Sequence, residues 1–114
     1  MTGDAPLGRR AALVADAATL VGLEAGAGYR EFLDVPALSL GLFVAAAGHG
    51  DEQDPHDRDE VYVVLSGEAD LDIAGVRHRV AAGSVAYVPA GVRHRFAAVH
   101  SAVRVLVVFA GDRR

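Results

Sequence analysis

The chain has 114 residues, 52% of them apolar, and a formal charge of −4 from 15 acids against 11 arginines and no lysine. One domain of this length can bury about two thirds of the surface its unfolded chain exposes, so a core forms without staples. The acidic balance argues against a broad phosphate-binding surface and so against nucleic acid as a partner; the absence of cysteine excludes disulfides and thiolate metal sites, which leaves nitrogen and oxygen as metal donors.

Residues 1–30 read as an N-terminal extension and residues 31–114 as the body of the domain. Arg9 and Arg10 precede the run AALVADAATLVGL, which imitates a secretory signal, but Asp16 interrupts it and it is far too short to span a membrane. A cytoplasmic protein is expected. The run suits a short amphipathic helix: Leu13, Ala17, Leu20 and Val21 recur at helical spacing, Asp4 and Pro6 precede it, and Gly22, Gly26 and Gly28 follow. An edge strand is the alternative.

From Tyr29 onward the pattern is that of β structure. Leu38 to Val44 predicts one strand, and Val61 to Leu65, rich in β-branched residues and closed by Ser66 and Gly67, another. Glu68 to Val80 predicts a hairpin, because Ala69, Leu71 and Ile73 alternate with acids up to a turn at Ala74 and Gly75. Ser84 to Val88 leads into a turn at Pro89 to Gly91, after which Val92 to Ala97 and Val103 to Phe109 complete the set. Many short strands between turn residues, with no convincing helix after the first quarter, predict an all-β barrel or sandwich.

Two stretches carry the candidate chemistry. In the first, Gly48 is followed after five residues by Asp54, then by His56, Glu60 and Gly67; in the second, Gly83, Pro89, Gly91 and His94 stand at fixed intervals. Imidazole nitrogen and carboxylate oxygen bind divalent transition metals at about 2.0–2.2 Å, and an open site needs three or four of them converging from separate strands. Strand alternation lets Asp54 and His56 face one side, and it groups His94 with Val92 and Phe96 on an apolar face, opposite Arg93 and Arg95. Against this stands a bland account: residues 51–60 hold six acids, a density that also makes an ordinary solvated loop, and the case for Asp54 is the weakest of the four. His49, His78 and His100 read as surface or loop residues.

In their spacing the two stretches resemble the paired motifs of the cupins, G-x5-H-x-H-x3-E-x6-G and G-x5-P-x-G-x2-H-x3-N. Asp54 stands where the family has its leading His, and Ala98 where it has its trailing Asn. The resemblance covers about residues 38–109 and implies a double-stranded β-helix, or jelly-roll, barrel. It also implies a divalent metal, Fe, Mn, Zn or Ni, held by His56, Glu60 and His94, with or without Asp54, and a homodimer. Without Asp54 the remaining three form the two-His, one-carboxylate triad used by non-haem iron oxygenases.

The expected function is that of a small-molecule metalloenzyme of dioxygenase or isomerase type, and the alternative is a cupin that binds a small ligand without turning it over. No catalytic group beyond the ligands stands out. Tyr62, which shares the strand parity of Glu60, and Phe43 and Phe96 are candidates for lining the pocket, although each also suits plain core. Arg58, between His56 and Glu60, could clamp an anionic substrate or offset the acids around it, and the crowding of carboxylates favours the second role.

Overall fold

The computed structural model describes residues 12–14, 28–48, 51–53 and 56–111. Those residues form seven strands: β1 (Gly28–Val35), β2 (Leu38–Ala45), β3 (Asp51–Gln53), β4 (Glu60–Ile73), β5 (Val76–Ala81), β6 (Val85–Val88) and β7 (His94–Ala110). The fold is all-β, as the turn-punctuated pattern predicts. The expected N-terminal helix lies outside the described residues except at Ala12–Val14, which are neither helix nor strand. Among the described residues no helix is long and apolar enough to cross a membrane.

The two longest strands organise the rest. Strands β4 and β7, of 14 and 17 residues, pair antiparallel along their whole length. The first part of β4 also pairs with β6, and the adjoining end of β7 pairs with β2, which carries β1. The second part of β4 pairs with β5, and the adjoining start of β7 carries β3. The sheet therefore has two halves that share β4 and β7 and bend where those strands bend.

Sequence reasoning divides each long strand in two, at Ser66–Gly67 and at Ala98–Ala102, whereas both run straight through. The difference lies in the pairing. Register shifts fall between Val64 and Ser66, Ser66 and Glu68, and Glu68 and Ala69, so extra residues are absorbed as bulges that bend the strand without ending it. Gly67 sits at this corner with φ +86°, and a Cβ there would run into the backbone of Ala102 and Val103 on β7. Only glycine allows the two strands so close in that conformation.

Alternation then fills the barrel. Cross-strand register lines up Ser39, Phe109, Glu60 and Val88 in one inward row, and Gly41, Val107, Tyr62 and Ala86 in the next. From the other half, Ala69, Leu71, Phe96 and Val99 join the same core. Phe43 stacks on Phe96 at 5.3 Å between ring centroids, and Tyr62 meets Phe96 at the same distance. Large side chains buried to this degree each contribute about 1.5–3 kcal/mol relative to exposure. The apolar interior thus surrounds one polar row, the row that contains Glu60.

Candidate metal centre

Three elements converge on Glu60. This residue opens β4 on its inward face and is 2% exposed, and His94, at 4%, opens β7 on the inward face of the other sheet half. His56 lies in the loop before β4. That loop is fastened by the turn of the second motif: Gly91 N–H donates to the His56 carbonyl at 2.6 Å, and Ala90 N–H donates to the Asp59 carboxylate at 2.8 Å. Gly91 has φ +82°, a conformation that favours glycine. Pro89 and Gly91 therefore place the first motif's histidine as well as turning the chain towards His94.

The donor atoms face one another. His94 Nε2 lies 3.0 Å from Glu60 Oε1, and His56 Nε2 lies 3.9 Å from the same oxygen. One ligating atom from each of the three residues falls within 4.8 Å of the other two. The His94 Nδ1 is 2.9 Å from the Val92 carbonyl oxygen, which can only accept, so the ring hydrogen belongs on Nδ1. In the neutral ring, Nε2 then points a lone pair at a carboxylate oxygen that also offers only lone pairs. His56 Nε2 and Glu60 Oε1 are buried and make no hydrogen bond.

Such a cluster is poorly arranged for itself and well arranged for a cation. Burial of polar atoms without a hydrogen bond, as at His56 Nε2 and Glu60 Oε1, is costly, and a divalent ion would satisfy both together with His94. Ligands at about 2.1 Å around an octahedral ion stand about 3.0 Å apart when adjacent, the His94–Glu60 separation; His56 must approach by about 1 Å. His56 is the member best able to do so, being on a loop with its side chain 35% exposed. Two imidazoles and one carboxylate suit Fe, Mn, Zn or Ni. Asp54, the fourth candidate, lies outside the described residues.

Residues 41–109 match the cupin domain family. The chain belongs to the cupin family. It is 48% identical over 81 residues, 71% of this chain and 77% of the other, to an uncharacterized protein of Streptomyces coelicolor. The cupin domain of Schizosaccharomyces pombe Cnp3 superposes with a TM-score of 0.66 at 20% identity, over 74% of this chain and 64% of that one. The DMSP lyase DddQ of Ruegeria pomeroyi gives 0.64 at 25% identity, over 68% of this chain but only 40% of the lyase. This cupin thus spans under two thirds of either solved relative.

The remaining candidate residues are distributed around this centre. Tyr62 is buried with its ring centroid 6.0 Å from that of His94, and Phe96 and Phe43 continue inward from it as a stack. The Arg58 guanidinium lies 4.4 Å from the Phe109 ring centroid, and Nη1 donates to Ser39 Oγ and the Gly111 carbonyl; among the described residues it pairs with no acid of the loop. His78 and His100 are exposed and outside the centre. Sequence reasoning missed Phe109, whose ring meets His56 edge-on at 4.9 Å. The signal was available: Val103, Val105, Val107 and Phe109 alternate with half-buried residues, which puts Phe109 on the inward face.

Proposed function

We propose that this cupin holds a divalent transition metal, Fe, Mn, Zn or Ni, at His56, Glu60 and His94, with Asp54 as a further ligand, and acts on a small oxygen-bearing molecule inside the barrel. The observation that carries the reading is the convergence on His94 Nε2 of His56 Nε2 and Glu60 Oε1, both buried and without a hydrogen bond. When bound, such an ion supplies Lewis-acid polarisation of a substrate oxygen and open positions for a chelating ligand or for dioxygen, the chemistry of dioxygenase- and isomerase-type reactions. The chain's own residues do the rest. The Val92 carbonyl orients the His94 ring, the Pro89–Gly91 turn anchors His56, and Phe43, Phe96 and Tyr62 wall the site.

The second reading, a non-catalytic small-ligand module, has one observation in its favour. Among the described residues, the polar side chains that meet the centre or its Phe109 wall are Tyr62, Arg58 and Ser39, and none of them is a carboxylate or imidazole beyond the three candidate ligands. We also place the protein in the cytoplasm as a homodimer. The exposed apolar residues Val85, Tyr87 and Leu65, on and beside edge strand β6, support the dimer.

Elemental analysis by inductively coupled plasma mass spectrometry tests the proposal on untagged protein purified without chelator, beside His94→Ala. One equivalent of a divalent metal in the native protein and none in the variant is the expected result. Metal absent from both after incubation with each ion refutes it, and a bound metal with no turnover in a substrate screen under air and argon favours the second reading.

A further inference from the structure

Arg58 is a buried cation for which no described residue supplies a counter-anion. It keeps 9% of its surface exposed, yet among the described residues it forms no ion pair with a carboxylate. The nearest acids in sequence are turned elsewhere: Asp57 is exposed, and Asp59 accepts from the Ala90 N–H and from the Tyr87 hydroxyl. The guanidinium rests on the face of Phe109 and is held by Ser39 and Gly111 through Nη1 alone, so these bonds do not engage its Nε and Nη2 donors. A charge taken out of water is expensive to hold unless a partner of opposite sign arrives.

Its neighbour is the metal centre. Phe109 carries Arg58 at 4.4 Å and the His56 ring at 4.9 Å from the same centroid, so the two groups are no further apart than those distances laid end to end. Glu60 is the cross-strand partner of Phe109. A divalent ion with the Glu60 and Asp54 carboxylates leaves a charge of about zero at the centre, and Arg58 raises it to about +1 in surroundings where charge is weakly screened. We infer that Arg58 is the anion-recognition residue of this site, and that the ligand is a small carboxylate-bearing molecule that binds the metal through one oxygen group and the arginine through another. The planar fork of guanidinium matches a carboxylate in two parallel hydrogen bonds, which no lysine reproduces. This assignment rests on the metal reading above.

The test uses full-length protein loaded with Zn(II), with malonate as the dicarboxylate probe and imidazole as a neutral metal-binding probe, both followed by isothermal titration calorimetry. Arg58→Gln should weaken malonate about tenfold to hundredfold while imidazole affinity stays within about twofold and zinc content is unchanged. Arg58→Lys should recover only part of the loss. In the wild type, which involves no question of folding, the Arg58 Nε–Hε resonance should shift on malonate addition and not on imidazole addition. A stationary resonance, or equal loss of both probes with a lower Tm in the variants, would overturn the proposal and leave Arg58 as a strap across the end of the barrel. If the wild type takes up no zinc, the metal reading fails by itself; malonate binding to the zinc-free protein, abolished by Arg58→Gln, would still uphold the arginine site, and no such binding would refute it.

Discussion

Replacing Glu60 by Gln should change stability in opposite directions with and without metal. In the metal-free protein at about pH 8, where an ordinary imidazole is neutral, the carboxylate faces the His94 lone pair at 3.0 Å and its Oε1 makes no hydrogen bond. Glutamine has the same shape, carries no charge and can turn its amide N–H₂ towards His94 Nε2. Removing an unsatisfied buried acceptor and gaining a hydrogen bond stabilises by about 1–3 kcal/mol. For a domain of this size that is a rise in Tm of roughly 4–12 °C. With saturating Zn(II) the order reverses, because native protein at a thousandfold excess over Kd gains about 4 kcal/mol that a site lacking its carboxylate forfeits. Calorimetric melting of both proteins, in chelator and in zinc, gives all four values. A lower Tm for Glu60→Gln in chelator would show that a shared proton already binds Glu60 to His94, and would remove the argument that this pair is arranged for a cation.

Other perturbations reach separate parts of the fold. Gly67→Ala forces an alanine to φ +86° against the Ala102 carbonyl, and should cost at least about 3 kcal/mol, read as a fall in the urea midpoint. The Asp70 carboxyl is held below its ordinary value of 3.8, chiefly by the hydrogen bond from His100; desolvation opposes this, and the charges of His100, Arg79 and Arg77 assist. Its contribution is therefore complete above pH 3.8 and disappears as pH falls through the lower folded value, so Asp70→Asn should flatten the acid limb of a Tm-against-pH curve there. Tyr87 shifts the other way, raised above 10.0 by its hydrogen bond to the Asp59 carboxylate. Its contribution persists below pH 10.0 and is lost as pH rises through the higher folded value, and Asp59→Asn should bring its ultraviolet titration back towards the ordinary range.

Strand positions were legible because the code for a half-buried strand is local. The Glu68–Val80 hairpin is observed with its turn at Ala74 and Gly75, at φ 52° and 83°, and β2 and β6 fall where alternation puts them. Continuity through Gly67 and through Ala98–Ala102 was not legible. A serine–glycine pair ends a strand when nothing stands opposite and bends one when a bulged partner does, and that partner lies over thirty residues away on β7. Strand β3 escaped notice for a related reason. Its three residues, Asp51–Gln53, are acidic or polar and are recruited by pairing with β7 instead of by any pattern of their own.

The site divides along the same line. His56, Glu60 and His94 could be chosen from spacing because a ligand set has to combine one residue type with one face, and chance seldom meets both conditions in two motifs. What their neighbours do required the third dimension. The sequence surrounds Arg58 with Asp57 and Asp59, so charge compensation by the loop was the natural expectation, but Asp59 is committed to the Pro89–Gly91 turn that also anchors His56. Holding the histidine in place thus takes the carboxylate away from the arginine. The arginine turns to Phe109 and Ser39, beside the candidate metal centre, and no described carboxylate pairs with it. On the reading proposed above, the turn that places His56 is also what leaves a cation available to an incoming anion.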